Sequence, residues 1–598
     1  MTQAKDGGEA ILEAFRNLDI DYIIASPGSE WAPVWEALAR QRINESDGPT
    51  YINCWHETLA VDMAIGYTRI TGRMQAVLLH AGVGLLQGSM GIHSATLGEV
   101  PMLVCSGEAN SYGENPEMDP QAQWYRNLSV VGGPNKFVDT FTKWSGQATS
   151  PYTLYEQLVR AGEMAQRVPQ GPTYLDVPIE SMIHDWTPPA KIRKVPGAPK
   201  NQPTPDSISN LAELLSNSKN PLIITESAGR TPEGFASLVK LCDMLAIPVV
   251  ESAAVYSNFP KSHPMHMGFN PRPYMNEADL VLVIASRSPW YPPYQGPSNA
   301  TVVVMGDTTL KGHMVYQNLM ADHYVEGDLP IGLGLLLDAL QSSGAGNASK
   351  IAERRSRWEA EHNKITESIQ AEQAAAKTKS PIDPVWLCAA LNEVMPKDVI
   401  YSEETTSHRG AIIRHVNWEA PHAYLHPSGG LGQGLGLALG AKLARPDQPV
   451  VALMGDGGFL YNPVTQSFGV ACEAGLPFMT VIFNNANYEA MRSNHLHYYP
   501  NGDAAASDIW HGVHIPGPEY SKLVDPFGGY GERVDDPAKL TQALQNGLDA
   551  VKQGKISIID QIFGFFGERY SHHKPIRHRH QFRNTFWSPY LFHPLRQQ

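Results

Sequence analysis

The chain has no CxxC pair, no long apolar run and no excess of basic residues, and each absence removes a class of protein. Its five cysteines, Cys54, Cys105, Cys242, Cys388 and Cys472, are scattered along 598 residues. That spacing offers neither a disulfide framework nor a thiolate zinc site, so each reads as a small buried hydrophobe. No segment approaches the roughly 18 uninterrupted apolar residues of a membrane span, and the opening MTQAKDGGEAILEAF lacks the apolar core of a leader. No membrane partner is expected, and a reducing cytoplasm is the expected compartment. The formal charge of −14 at pH 7 argues against a nucleic-acid partner, whose binding face would be basic. What is present is core material: 42% of the residues are apolar and 18% charged, enough for several globular domains.

Three blocks alternate short apolar runs, stopped by Gly or Pro, with helix-like stretches. This is the pattern of α/β domains with mostly parallel sheets flanked by helices. The first block, residues 1–185, contains DYIIASPG, QAVLLHAG and VPMLVCSGE. A Pro- and Lys-rich segment, WTPPAKIRKVPGAPKNQPTPDS, reads as an exposed linker. The second block, residues 200–345, carries NPLIITES, IPVVESAA, ADLVLVIAS and ATVVVMGD. A charged helical stretch then reads as a surface connector. The third block, residues 380–566, holds DVIYSEETT, QPVVALMGDGG, LPFMTVIFNN and KISIIDQIF. Residues 567–598 form a tail in which the thirty residues after Glu568 include six Lys or Arg and five His but no Asp or Glu. No fixed-period repeat is visible.

The chemistry concentrates in GDGGFLYNPVTQSFGVACEAGLPFMTVIFNN. It opens with Gly455-Asp456-Gly457-Gly458 and closes with Asn484-Asn485, with 26 residues between Gly457 and Asn484. Asp456 follows the apolar run PVVALM, which places it at the carboxyl end of a parallel strand, where open α/β sheets bind ligands. Glycines there let backbone N–H groups approach phosphate. One carboxylate and one neutral amide oxygen suit Mg²⁺, a hard cation that takes phosphate oxygens as its remaining ligands. A helix and a strand between the two ends bring Asn485 beside Asp456.

GDG, a strand–helix–strand spacer and NN together resemble the signature of thiamine-diphosphate (ThDP) enzymes, and the likeness extends over nearly the whole chain. The resemblance implies pyrimidine-binding, central and diphosphate-binding domains, with ThDP and Mg²⁺ as cofactors. It also implies a homodimer or homotetramer with active sites at subunit interfaces. The metal would be held by Asp456, Asn485 and the main-chain oxygen of Asn487, and Tyr488 follows in the cofactor-binding segment. WHETLAVDMAIGYTR resembles the segment of the activating glutamate, here Glu57, whose carboxyl would hydrogen-bond the aminopyrimidine. SGGLGQGLGLALGA resembles the segment in which a large apolar side chain, here Leu431, props the cofactor and the Gly429 carbonyl accepts from it. Helix packing is the other reading of those glycines. SEETTSHRG offers Thr405 and Thr406 to the diphosphate, with helix capping as the alternative.

The reaction is less sharply written. Ser29 in SPGSEWAPVW and His80 in VLLHAGVGLLQGSMG fall where benzoylformate-decarboxylase-like enzymes carry an active-site serine and histidine. Their second histidine is missing, and Trp290 and Tyr291 stand in the corresponding loop. Glu489 departs from relatives that carry glycine there, and resembles the catalytic glutamate of bacterial 2-hydroxyacyl-CoA lyases, which also have a C-terminal lid. Leu128 is the expected substrate-wall residue. The leading expectation is therefore a small-molecule C–C lyase and carboligase that cleaves a 2-hydroxyacyl-CoA thioester to formyl-CoA and a carbonyl compound. A 2-oxo-acid decarboxylase of the benzoylformate type, an acetolactate-synthase-like transferase and a catalytically silent binding subunit are the alternatives.

Overall fold

The computed structural model describes residues 5–563, apart from Pro27, Met118, Val315, Tyr316, Asn318 and 345–347; the tail expected to act as a lid lies outside the described residues. Three sheets form the frame. The first contains β1 (Tyr22–Ala25), β2 (Thr50–Asn53), β3 (Gln75–Leu79), β4 (Met102–Glu108), β5 (Trp144–Gln147) and β6 (Pro172–Pro178). The second contains β7 (Pro221–Thr225), β8 (Val249–Glu251), β9 (Leu280–Ile284), β10 (Thr301–Gly306) and β11 (His323–Glu326). The third contains β12 (Ile400–Glu404), β13 (Tyr424–Leu425), β14 (Val450–Gly455), β15 (Met479–Asn484), β16 (Tyr530–Val534) and β17 (Ser557–Ile562).

The strand orders are β2-β1-β3-β4-β6-β5, β11-β10-β9-β7-β8 and β13-β12-β14-β15-β17-β16. Every pairing is parallel. Counted from its own first strand, the third sheet has the same order as the first. The chain thus repeats a topology with no sequence period to betray it. Parallel sheets are covered on both faces by helices, which is why QAVLL and LVLVI are buried from end to end.

The first and third domains are joined by two helices that touch at backbone distance. The helix α1 (Glu57–Thr71) is capped by His56, whose ring accepts the Thr58 N–H, and ends at Gly72 with φ +70°. A second helix, α2 (Ala81–Leu97), follows β3, and α3 (Gly434–Ala444) crosses α1. A Cβ on Gly66 would lie 2.4 Å from the Leu437 carbonyl oxygen, and one on Gly440 would lie 2.1 Å from that of Met63. Only hydrogen fits at those positions. The packing role left open for the glycines of GQGLGLALGA is therefore real at Gly436 and Gly440. Around the crossing, the Ser94 hydroxyl donates to Gln433 (2.9 Å) and the Gln433 amide to Asp62 (3.2 Å).

Residues 187–204 run without helix or strand between the first two sheets. The charged connector is the helix Ala348–Ala376, which buries Trp358 in the central core and Ala376 in the third. Four cysteines are buried, but Cys472 is exposed, because its position on the helix Val464–Glu473 faces away from the sheet.

Gly440→Ala should lower the midpoint of thermal unfolding, since overpacking of this kind costs roughly 1–3 kcal/mol or more. Gly334→Ala, in the helix Leu329–Ser342 where an added Cβ meets nothing within 4 Å, should raise it, through about 0.5–1 kcal/mol of added helix propensity. Parallel melts of the two variants check both signs.

Candidate active site

Adjacent strands β14 and β15 are in register, with Gly455 opposite Phe483, so their carboxyl ends deliver Asp456 and Asn485 side by side. Asp456 opens the short helix α4 (Asp456–Tyr461), and the helix α5 (Val464–Glu473) returns the chain to β15. After β15 the backbone turns through Ala486 at φ +54°. Asn484 braces that turn: its amide donates to Asp560 (2.8 Å) and its oxygen accepts from the Ala486 N–H (3.1 Å). The Asn485 side-chain oxygen accepts from the Asn487 N–H at 3.0 Å. The Tyr488 N–H donates to the Val513 carbonyl (2.7 Å), and the helix α6 (Glu489–Tyr498) begins at the next residue.

A cavity at these strand ends is lined by Glu404, Thr406, Ser407, His408, Leu431, Gly455, Asp456, Gly457, Gly458, Asn485, Asn487 and Tyr488. The glycines shape it. A Cβ on Gly457 would lie 2.6 Å from the Tyr488 ring, and one on Gly458 would lie 3.0 Å from the Glu404 carbonyl oxygen. Thr405 is placed otherwise than expected for a diphosphate contact, because its backbone N–H and hydroxyl both donate to Glu403. Thr406 and Ser407 face the cavity instead. Gly429 sits beside α2, where a Cβ would lie 2.8 Å from that of Ser94.

Burial sets the electrostatics. It pushes the Asp456 carboxyl up to about 6 and the Glu404 carboxyl up to about 7, and it pulls the His408 imidazole down to about 4. Glu404 accepts from the Gly432, Gln433 and Gly434 N–H groups and from Asn462, which fixes the loop carrying Leu431 at the entry to α3. Sequence reasoning missed Glu404, Ser407 and His408. The SEETTSH cluster at a strand end was the available signal.

The first domain builds a separate cluster at the ends of β1 and β3. His80 follows β3, and its Nδ1 lies 2.8 Å from Glu30 Oε2 and 3.1 Å from Oε1. Glu30 comes from the turn Ser29–Trp31 after β1 and was not singled out in the sequence. Glu57 opens α1 on the other side of His80; a Cβ on Gly84 would lie 3.0 Å from Glu57 Oε1 and 3.2 Å from His80 Cβ. Ser29 is exposed and accepts from the Gln123 amide at 3.0 Å. Leu128 ends the π-helical turn Trp124–Leu128 and packs on a small cluster of Ala81, Ala109 and Trp124, the first of which directly follows His80.

Trp290 and Tyr291 divide. Trp290 is buried in the central core with Gly296 against its indole, so Tyr291 is the side chain of the pair that reaches the surface. A cavity of about 310 Å³, lined in part by Arg69, Arg230, Arg287 and Lys311, lies at the carboxyl ends of β7, β9 and β10 and holds none of the expected site residues.

The residues around Asp456 fit the metal and cofactor that the resemblance implies. Asp456 Oδ2 is buried without a hydrogen-bond partner. Such an orphan is costly unless a cation or donor completes it. Among the described residues no group of three or more His, Cys, Asp or Glu could hold a metal. A cation here would therefore draw on amide and carbonyl oxygens, as the set Asp456, Asn485 and Asn487 does, and that donor set is the chemistry of Mg²⁺. The glycine-walled cavity lies beside it, and the Gly457 N–H donates to the other Asp456 oxygen at 2.9 Å.

Comparison with known proteins supports the thiamine-diphosphate assignment along most of the chain. The N-terminal TPP binding domain of thiamine pyrophosphate enzymes matches residues 5–127, the central domain residues 208–334, and the C-terminal TPP binding domain residues 404–561. The chain is 25% identical to benzoylformate decarboxylase of Pseudomonas aeruginosa over 573 residues, covering 92% of this chain and 98% of that one. It is 23% identical to a probable acetolactate synthase large subunit of Methanococcus aeolicus, covering 91% and 90%. Its fold matches the ThDP-dependent 4-hydroxybenzoylformate decarboxylase of Rhodococcus jostii with a TM-score of 0.75 at 23% identity, over 94% and 99% of the two chains. With all three domains present in order along one polypeptide, the chain belongs to the thiamine pyrophosphate enzymes.

Proposed function

We propose that this enzyme uses ThDP and Mg²⁺ to cleave, and in reverse to join, a carbon–carbon bond beside a carbonyl, acting on a 2-oxo acid as a decarboxylase and carboligase of the benzoylformate type. The observation that carries this reading is His80, held by Glu30 at a strand end and flanked by Glu57 and Ser29. Asp456, Asn485 and the Asn487 carbonyl would hold the metal, and Gly457, Gly458 and Thr406 the diphosphate. When bound, ThDP supplies the nucleophilic carbon and the electron sink that such a cleavage requires.

The protein's own groups manage protons and position. Glu57 would present its carboxyl to a basic ring nitrogen of the bound cofactor. Hydrogen bonding to Glu30 raises the His80 imidazole above its ordinary value, so His80 is suited to donate a proton to a carbonyl oxygen as that oxygen gains charge. The Ser29 hydroxyl, exposed beside it, is placed to donate to a substrate carboxylate. Leu128, packed on the cluster of Ala81, Ala109 and Trp124, supplies an apolar wall.

A second reading, the 2-hydroxyacyl-CoA lyase, rests on Glu489. Its carboxylate starts α6 just beyond the Asn485–Tyr488 turn and pairs with Arg492 (3.3 Å) and Ser493 (3.4 Å). There it could take a proton from a substrate hydroxyl. A transferase of the acetolactate synthase kind needs neither His80 nor Glu489. A silent binding subunit would have no need of Glu57, Asp456 and Asn485 together.

The two clusters are to be completed by a second copy. Among the described residues no hydrogen bond or ion pair links Glu57, His80 or Ser29 to Asp456, Asn485 or Tyr488, and the cavity at Asp456 contains no residue of the first domain. Exposed apolar side chains border both clusters: Val83 and Leu86 on one side, Leu460, Tyr461 and Met491 on the other. Those faces suit an isologous interface that carries Glu57 of each chain to Asp456 of the other.

ThDP with Mg²⁺ should raise the melting temperature of the wild type but not of Asp456→Asn. Because the cation binds the deprotonated carboxyl, apparent Mg²⁺ affinity should fall about tenfold per unit as pH drops below about 6. Calorimetric titrations at pH 5 and 7 read this.

Glu57→Gln should retain ThDP binding and lose turnover. Mass spectrometry of products from 2-oxo acids and from 2-hydroxyacyl-CoAs separates the two readings. Carbon dioxide released from the former supports the decarboxylase, whereas formyl-CoA formed from the latter, slowed at least roughly tenfold in Glu489→Ala, supports the lyase.

A further inference from the structure

We infer that Glu30 is a positioning residue for His80, fixing which ring nitrogen faces the cleft and how the ring is oriented; this rests on the proton-transfer role proposed for His80. Glu30 is 1% exposed and lies between two glycines that have no room for a side chain. A Cβ on Gly28 would lie 2.0 Å from His80 Nδ1 and 2.3 Å from Glu30 Oε2, and one on Gly107 would lie 2.2 Å from Glu30 Cγ. The neighbouring Trp31 is buried, and its indole N–H donates to the Leu79 carbonyl (2.9 Å), which pins the turn to the end of β3. Glu30 is therefore closely packed on both sides, against Gly28 and Gly107.

The carboxylate makes two contacts with consecutive residues. Both oxygens lie within hydrogen-bond reach of His80 Nδ1, and Oε1 also accepts the Ala81 N–H at 2.5 Å. Ala81 has φ +28°, a conformation that L residues avoid. One side chain thus holds the ring and the strained backbone that aims it. A carboxylate facing Nδ1 makes that nitrogen the protonated one and leaves Nε2 to exchange protons. The Nε2 proton passes to the substrate oxygen as that oxygen becomes negatively charged, the Nδ1 proton stays on Nδ1 and is donated to the Glu30 carboxylate, and Nε2 is reprotonated from solvent or product.

The charged groups around His80 are Glu30 from the turn after β1, Glu57 from α1, and Glu108 at the end of β4 behind Glu30. All three are acidic, and no cation competes for the imidazole among them. In its protonated form His80 is the acid, so activity should fall as pH rises through its titration.

The test is NMR of ¹⁵N-labelled histidine in the full-length protein, with His80 assigned by its loss in His80→Ala. The expected wild-type spectrum has Nδ1 protonated across the range and a titration midpoint above about 6.5. In Glu30→Gln the midpoint should fall by about one unit or more, and the alkaline limb of kcat/KM should move to lower pH by the same amount. kcat should drop more than KM changes, with the ThDP-induced melting shift retained. Equal midpoints in the two proteins, or a neutral Nε2–H tautomer in the wild type, would overturn the inference. If Glu30→Gln does not fold, the wild-type spectrum alone decides by the same criterion. Full turnover in His80→Ala would instead remove His80 from the proposed function while leaving the Glu30 geometry standing.

Discussion

The backbone contact between α1 and α3 is the constraint on which the rest depends. Gly66, Gly436 and Gly440 let two helices from different domains approach until a carbonyl oxygen, at Gly66 and Gly440, or the Asp62 Cβ, at Gly436, occupies the place of a Cβ. Each helix begins at a site element: α1 starts at Glu57, and α3 starts just after the loop of Gly429 and Leu431 that Glu404 clamps. Locking the crossing sets where both begin. The polar chain Ser94–Gln433–Asp62 threads the same interface, so slippage along it would break buried hydrogen bonds as well as packing.

Around that joint, burial prepares the carboxylates at the strand ends. Asp456 and Glu404 are both held above their ordinary values by desolvation, but to different ends. Glu404 is satisfied by three N–H groups and an amide, and so serves as a brace. Asp456 keeps an unpartnered oxygen, which is what the proposed metal role requires. His408, pushed down to about 4 and stacked on Phe563, remains neutral at the cavity wall. A neutral imidazole there adds no fixed charge beside the phosphates that the glycines would receive.

What the sequence revealed and what it hid divide along contact range. The three parallel sheets, and the pairing of Asp456 with Asn485, are written locally: an apolar run, a stop residue, and a spacer long enough for one helix. Long-range relations are silent in it. Nothing in SPGSEW says that Glu30 turns inward to meet a histidine fifty residues on. Thr405 and Thr406 look equivalent as neighbours until Glu403 takes both donors of the first. Trp290 resembles a substrate residue until the central core closes over it. The doubled strand order of the first and third domains escaped because topology constrains connections and leaves side chains free to diverge. The acid-free tail, on which the thioester reading leaned, lies outside the described residues.

On the proposed reading, one chain carries two half-sites that α1 and α3 hold in fixed relation but do not bring together. The most direct measurement is complementation between two inactive variants, Glu57→Gln and Asp456→Asn, mixed under conditions that exchange subunits. If each centre takes Glu57 from one copy and Asp456 from the other, the mixture contains intact centres and should regain about a quarter of wild-type activity at equal proportions. Proven subunit exchange with no recovery of activity would contradict the account.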